Sequence, residues 1–245
     1  MTDWRGDDCD RISAPHVAMG PPALDRLDLS GDERVLDAGC GSGRLTEQLL
    51  ERLPQGRVVA LDGSASMLAE ARRRLRRFGD RVTYLQADLG RPPLPIRGPV
   101  DAILSTATFH WVLDHEALFD GLAGVLRSGG QLSFQCGGEG NAAALIQAAR
   151  DEGVETSSTF HMAGVHETLA RLSAAGFTNA HAWLEPRTIE FATRAELIEY
   201  IVTPYLRPAT GLPEQELQRL AGAIADRLGV LAISYVRLNV TARRG

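Results

Sequence analysis

The stretch Val-Leu-Asp-Ala-Gly-Cys-Gly-Ser-Gly at residues 35–43 carries the strongest structural signal in the chain. It opens on a short apolar run typical of a buried strand, and leucines at helical spacing follow it from Leu45 to Leu53. Glycines at alternate positions let the backbone turn sharply and pass close to a ligand, near the first amide groups of the helix. The sequence therefore predicts a strand, a ligand-binding turn and a helix in direct succession.

The spacing of these glycines weakens the case for a nicotinamide dinucleotide. A dinucleotide fingerprint has its third glycine one position later, where this chain has Arg44. Asp62, at the end of the next predicted strand, can accept both hydroxyls of a ribose. Asp88 ends the strand after that, and Asp37 lies at the start of the glycine turn. These acids at consecutive strand ends predict a nucleoside pocket that has no basic phosphate clamp.

Apolar runs alternate with helical patterns throughout residues 31–136, which predicts a doubly wound α/β core. With the later strands added, we expect a Rossmann-like, mostly parallel sheet of seven strands whose ligand lies beyond the carboxyl ends of the strands. The predicted strands lie near 35–36, 58–61, 82–85, 100–104, 131–135, 178–184 and 230–241.

Three regions are expected along the chain. Residues 1–30 form an N-terminal helical segment, residues 31–136 the cofactor-binding core, and residues 137–245 the remainder of the sheet. Helical patterns at about residues 192–229 fall between the last two predicted strands. Such an excursion cannot lie within the sheet, so we expect it to fold over the ligand mouth as a lid.

Composition narrows the possible partners and location. The net charge of -5 offers no long-range attraction for nucleic acid or for an anionic membrane surface. The three cysteines lack the spacing of a zinc site or a disulfide framework, and no metal site is expected. No apolar run is long enough to cross a bilayer, and residues 1–10 are acidic where a signal peptide is basic. We therefore expect a cytoplasmic protein that acts on a small molecule; its oligomeric state stays open.

Four segments resemble successive motifs of the class I S-adenosylmethionine-dependent methyltransferases: VLDAGCGSGRLTEQLL, VVALDGSASMLAEAR, YLQADL and LRSGGQL. The resemblance implies S-adenosylmethionine as cofactor and S-adenosylhomocysteine as product. It implies that Asp37, Gly39 and Gly41 surround the methionine moiety and that Asp62 holds the ribose. It further implies that Gly63 and Met67 border the adenine, while Asp88 and Leu89 meet its amine. We also place Ser105, at the end of the fourth predicted strand, among the cofactor-binding residues.

Four further segments are similar to the trans-aconitate methyltransferase-like group, which methylates small carboxylic acids: FHWVLDHEALFDGLAGVLRSGG, CGGEGN, EYIVTPYLRP and VRLNVTARRG. Two positions that line the methyl-transfer mouth depart from that group. This chain has Thr106 where Asn is usual, and His110 where Gln is usual before the tryptophan. Because of these departures we do not transfer the acceptor of that group, and we expect a carboxylate or a hydroxyl of a metabolite.

Five residues are candidates on the acceptor side. His110 is either a general base for an acceptor that must lose a proton or a packing residue beside the adenosine. Arg207 is either a bidentate clamp for an acid substrate or a solvated surface residue. Thr106, Trp111 and Tyr205 are expected to line the substrate pocket.

Two other functions remain open from the sequence. The first is an enzyme of the same fold that binds the cofactor but catalyses a non-methylating biosynthetic step. The second is a non-catalytic module that has kept the cofactor site. Fold and cofactor site do not determine the reaction, so the sequence alone does not separate these from a methyltransferase.

Overall fold

The computed structural model describes residues 20–155 and 158–245, which form a seven-stranded sheet with helices on both faces. The predicted N-terminal segment thus lies largely outside the described residues. The strands are β1 Arg34–Ala38, β2 Arg57–Asp62, β3 Val82–Gln86, β4 Val100–Thr106, β5 Leu126–Gly137, β6 Phe177–Glu190 and β7 Ala232–Arg244.

The strand order is β3-β2-β1-β4-β5-β7-β6. The first five strands pair in parallel, and β7 runs antiparallel between β5 and β6. This arrangement confirms the predicted mostly parallel, doubly wound sheet. The chain winds outward in one direction from β1 and in the other from β4, so a crevice opens beyond the carboxyl ends of these two strands.

The helices of the described ranges are α1 Pro21–Asp25, α2 Arg44–Arg52, α3 Ala65–Leu75, α4 His115–Val125, α5 Ala143–Asp151, α6 Val165–Ala174, α7 Arg194–Ile201, α8 Arg207–Thr210 and α9 Glu214–Leu228. Side-chain caps fix several starting points. Ser64 accepts the Met67 N–H at the start of α3, and Asp114 accepts the Ala117 N–H at the start of α4. No helix in the described part of the chain is both long and apolar enough to cross a membrane.

The segment between β6 and β7 builds an apolar cluster of its own with α5 and β7. Two other clusters cover the faces of the sheet. Leu197, Ile201, Leu217 and Ile224 are buried in the separate cluster, and a π-helical turn at Val202–Leu206 joins α7 to α8. This segment therefore places side chains next to the crevice while packing on its own core.

Candidate active site

The glycine turn after β1 is shaped by close backbone contacts. Gly39 and Cys40 both donate their N–H groups to the Leu61 carbonyl, which ties the turn to β2. Gly39 has φ +83°, and a Cβ there would overlap the Thr108 side chain. Gly41 has φ +54°, and among residues 20–155 and 158–245, its chain neighbours aside, no atom lies within 4 Å of the position that its Cβ would take. The turn thus requires glycine on its packed side and leaves room on its open side.

Asp62, the last residue of β2, faces this turn. Its Oδ2 accepts the Gly41 N–H at 2.9 Å, and its Oδ1 accepts the Ser64 N–H at 2.9 Å. Burial raises the pKa of Asp62, and its hydrogen bonds with backbone N–H groups offset part of that rise. A carboxylate has about four lone-pair sites, so Asp62 can still accept hydrogen bonds from ligand hydroxyls.

Asp37 and Ser105 lie beneath the turn rather than on its surface. Asp37 is 3% exposed and accepts a hydrogen bond from the Thr46 hydroxyl at 2.6 Å. Ser105 is also buried, and its hydroxyl donates to the Ala38 carbonyl at 2.6 Å. Both side chains therefore support the ends of β1 and β4, and neither is among the residues that line the cavity described below.

Asp37→Asn is expected to stabilise the protein at alkaline pH. Burial raises the pKa of Asp37 from 3.8 to about 7, so the folded protein keeps a proton that the unfolded chain releases in this interval. This proton contributes its full stability below 3.8, the pKa in the unfolded chain. The contribution is lost as the pH rises through about 7, the pKa in the folded protein. An amide cannot ionise and still accepts the Thr46 hydrogen, so the melting midpoint should rise at pH 8.

Melting curves followed by circular dichroism at about pH 4 and pH 8 test this expectation. The wild type should lose stability relative to the variant as the pH increases. An equal difference between the two proteins at both pH values would contradict it.

A cavity of about 410 Å³ opens above the glycine turn. One part, here called the turn side, is lined by the turn and the ends of the first strands. It includes Gly39, Gly41, Asp62, Gly63, Met67, Asp88 and Leu89. The other part, here called the aromatic side, combines residues from β7, from the segment between β6 and β7, from the end of β4 and the loop after it, and from the loops on either side of α5. It includes Thr106, His110, Trp111, Asn141, Phe160, Tyr200, Tyr205, Tyr235 and Arg237.

His110 lies on the aromatic side, and a backbone contact determines its tautomer. Its Nδ1 accepts the Gly137 N–H at 3.3 Å, so the neutral ring carries its proton on Nε2. The ring packs against Trp111 and Phe160, at centroid distances of 5.2 and 6.5 Å. Neutral His110 can therefore donate a hydrogen bond from Nε2 but has no lone pair on that atom with which to accept a proton.

Three tyrosine hydroxyls meet on the same side. The Tyr235 hydroxyl lies 3.1 Å from that of Tyr205 and is also hydrogen-bonded to that of Tyr200. Burial raises the pKa of both Tyr205 and Tyr235 above the usual phenol value. The Tyr205 and Tyr235 hydroxyls thus stay protonated at neutral pH and add donors without adding negative charge.

Arg237 brings a positive charge into this aromatic wall. Its side chain is 3% exposed, and its Nε and Nη2 both donate to the Gln135 Oε1 at 3.3 Å. The ionisable groups nearest to it are Cys136, Tyr235 and Tyr205, and within residues 20–155 and 158–245 no carboxylate forms an ion pair with it. Burial lowers the pKa of Arg237. A buried guanidinium without a counter-ion strongly favours an anionic ligand.

Arg207 takes a different position. Its Nη2 donates to the Glu214 Oε2 at 2.9 Å in a partly exposed ion pair, and the residue does not line the cavity. Sequence reasoning singled out Arg207 and missed Arg237, Asn141, Phe160, Tyr200 and Tyr235. One signal was available: Tyr235, Arg237 and Asn239 alternate with Val236 and Leu238, so they share one face of the strand.

Comparisons with known proteins agree with this geometry. Residues 35–130 match the family described as a methyltransferase domain. A trans-aconitate 2-methyltransferase from Methylobacterium nodulans is 30% identical over 269 residues, covering 100% of this chain and 99% of that protein. A protein of the same name from Escherichia coli K12 is 28% identical over 257 residues, with the same coverage of each chain.

A solved structure shares the fold. Geranyl diphosphate C-methyltransferase from Streptomyces coelicolor, in complex with Mg2+, geranyl diphosphate and S-adenosyl-L-homocysteine, superposes with a TM-score of 0.60. It is 18% identical and covers 94% of this chain and 79% of that one. At this identity the likeness concerns the fold, whereas the relatives above match the chain from end to end.

Proposed function

Because the chain belongs to the class I S-adenosylmethionine-dependent methyltransferases, near the trans-aconitate methyltransferase-like group, we propose that it methylates a carboxylate of a small organic acid. The chain is an S-adenosylmethionine-dependent methyltransferase, and a non-methylating enzyme or a non-catalytic module is not favoured by these relatives. The identity of the acid and the roles of individual residues are the proposed part.

The turn side has the features that S-adenosylmethionine needs. The open face of Gly41 leaves space beside the backbone, and Asp62 has lone pairs free for the ribose hydroxyls. Gly63, Met67, Asp88 and Leu89 line the adjoining surface, where we propose that the adenine lies. Asp37 and Ser105 would support the site from beneath, and Gly39 would form the tightly packed part of the turn. When bound, the cofactor supplies an electrophilic methyl group on a positively charged sulfur.

Arg237 is the observation that carries the choice of a carboxylate acceptor. Its buried guanidinium faces the cavity with a neutral amide and neutral phenols around it. A guanidinium binds a carboxylate through two parallel hydrogen bonds, and an anion there would supply the counter-charge that the described residues do not. Thr106, Trp111 and Tyr205 line the same part of the cavity and would enclose the body of the acid.

A carboxylate is already a nucleophile at neutral pH and needs no general base. The chain's task is then to hold the acid in line with the methyl group and to exclude water, and alignment alone can supply about 7 to 11 kcal/mol. His110 fits this chemistry because its Nε2–H can donate a hydrogen bond to the acid. We therefore propose that His110 orients the acceptor.

His110→Gln is expected to keep kcat within about tenfold of the wild type with an acid acceptor, since a Gln amide can replace the Nε2–H donor. A general base contributes about 100- to 10,000-fold, so its loss would be conspicuous. Initial rates at saturating acid, measured from about pH 6 to pH 8, provide the check. A hundredfold fall in kcat, together with loss of the acidic limb of the profile, would restore the role of base.

The proposed reaction is tested with a panel of acceptors and methyl-labelled S-adenosylmethionine. The panel contains trans-aconitate, for which the relatives are named, other di- and tricarboxylic acids, monocarboxylic acids, and alcohols and amines of similar size. S-adenosylhomocysteine should form with acids, and the label should be released as methanol by mild alkali, as a methyl ester requires. Turnover of alcohols or amines in preference to every acid would contradict the proposal.

We also propose that the enzyme works in the cytoplasm on a free metabolite rather than on nucleic acid. The net charge of -5 supports a substrate other than nucleic acid, because phosphate backbones favour basic surfaces. Cell fractionation and a filter-binding assay with labelled RNA and DNA would check the two parts separately.

A further inference from the structure

A polar network behind Arg237 connects β5, β6 and β7. Gln135 Oε1 accepts from the guanidinium of Arg237, and Gln135 Nε2 donates to Asn239 Oδ1 at 3.2 Å. Asn239 Oδ1 also accepts from Arg26 Nη2 at 2.9 Å, and Asn239 Nδ2 donates to Glu185 Oε2 at 3.3 Å. Gln135 and Asn239 are buried and lie opposite each other in the antiparallel pairing of β5 and β7.

The ends of this network determine the direction of every hydrogen bond in it. Arg26 and Arg237 can only donate, and the Glu185 carboxylate can only accept. Asn239 must therefore turn its oxygen toward Arg26 and its nitrogen toward Glu185. Gln135 must then turn its nitrogen toward Asn239 and its oxygen toward Arg237. The Gln135 side chain is held in the single orientation that binds the guanidinium.

Gln135 orients Arg237 without neutralising it. Glu185 is the Cα partner of Arg237 on β6, yet its carboxylate binds Asn239 and forms an ion pair with Arg187. The nearest hydrogen-bonding partner of Arg237 is thus an uncharged amide oxygen. A glutamate of nearly the same shape would bind the guanidinium more strongly and remove its net charge.

We propose that Gln135 is a positioning and specificity-determining residue, whose neutral amide aims the Arg237 guanidinium into the cavity and leaves its charge for the carboxylate of the acceptor. This inference rests on the proposed function, since it assumes that Arg237 binds the acid. A purely structural role for Gln135, in which it only fills the space between β5 and β7, predicts a different outcome for a charged replacement.

The test compares Gln135→Glu with Gln135→Met, using the panel acid that the wild type methylates fastest. Gln135→Glu should raise KM for the acid at least 30-fold, because an internal carboxylate competes with the substrate for Arg237. Its kcat and its affinity for S-adenosylmethionine should stay close to wild-type values, and its melting midpoint should fall because the new carboxylate turns an oxygen toward Asn239 Oδ1. In Gln135→Met the charge of Arg237 remains available, and the guanidinium loses only the hydrogen bonds that orient it. KM for the acid should therefore rise by about three- to tenfold.

Gln131→Glu is the matched control. Gln131 lies four positions earlier on β5 and exchanges hydrogen bonds with the Asp28 backbone, away from Arg237. Its KM for the acid should not change.

An equal rise in KM for Gln135→Glu and Gln135→Met would overturn the inference in favour of packing, and an unchanged KM in both would also overturn it. If Gln135→Glu fails to fold, Gln135→Met still tests the inference, because an unchanged KM in that variant excludes a positioning role. Arg237→Met, measured in parallel, separates a failure of the proposed acid site from a failure of the role of Gln135. If its KM is unchanged, the proposed acid site fails; if its KM rises while that of Gln135→Glu does not, only the role of Gln135 fails.

Discussion

Arg237→Met is expected to lower kcat/KM for the acid acceptor by about 100- to 1,000-fold. Removing one partner of a buried, hydrogen-bonded charge pair costs about 2 to 5 kcal/mol, because the other charge is left without compensation. In the wild type the guanidinium lies in the cavity without a carboxylate partner in the described protein, so the substrate supplies that partner. Steady-state kinetics at saturating S-adenosylmethionine measure the loss.

Methionine has nearly the length of the arginine stem and carries no charge, so the variant should fold at least as well as the wild type. Calorimetric titration should give an unchanged affinity for S-adenosylmethionine. Arg207→Met is the matched control, because Arg207 lies outside the cavity lining and pairs with Glu214. If Arg207→Met abolishes turnover of the acid and Arg237→Met does not, the acid site lies under α8 and the assignment to Arg237 is wrong.

The turn side of the cavity could be predicted from sequence because it is local. Residues 39–43 lie between one strand and one helix, and Asp62 comes at the end of the very next strand. A parallel sheet brings consecutive strand ends to the same edge, so the neighbours in space follow from the order along the chain. The structure adds that Asp37 and Ser105 lie beneath this surface instead of on it.

The aromatic side could not be assembled in this way. Arg237 is opposite Gly137, a hundred residues earlier, only because β7 inserts antiparallel between β5 and β6. No pattern in the sequence gives the register of that pairing. The same insertion lengthens β6, predicted to end near Leu184, as far as Glu190, since β7 pairs with it to Ala232.

His110 illustrates the same limit at the level of a single atom. Its place after β4 followed from the sequence, but its tautomer depends on the Gly137 N–H at the end of β5. A base and a hydrogen-bond donor are indistinguishable until that contact is known. Residue roles that depend on long-range strand pairing could therefore be assigned only from the three-dimensional structure. The turn side could be predicted from the local order of residues along the chain.

Asp62→Ala is expected to weaken binding of S-adenosylmethionine by more than tenfold. The carboxylate is the acceptor proposed for two ribose hydroxyls, and hydrogen bonds to a charged group contribute about 1.5 to 3 kcal/mol each. The same carboxylate holds the N–H groups of Gly41 and Ser64, so its loss also loosens the glycine turn. Calorimetric titration with S-adenosylmethionine and with S-adenosylhomocysteine measures the change.

Asp62→Asn separates the two contributions of this carboxylate. An asparagine has one accepting oxygen, so its amide nitrogen must face either the Gly41 N–H or the Ser64 N–H, and one backbone contact is lost along with the charge. We expect affinity to fall about tenfold in this variant and further in Asp62→Ala. Asp88→Asn is the graded comparison, since Asp88 holds only the Gly90 N–H and an exposed Arg91 and should lose less. Wild-type affinity in Asp62→Ala, with the fold intact by circular dichroism, would mean that the ribose does not lie against β2.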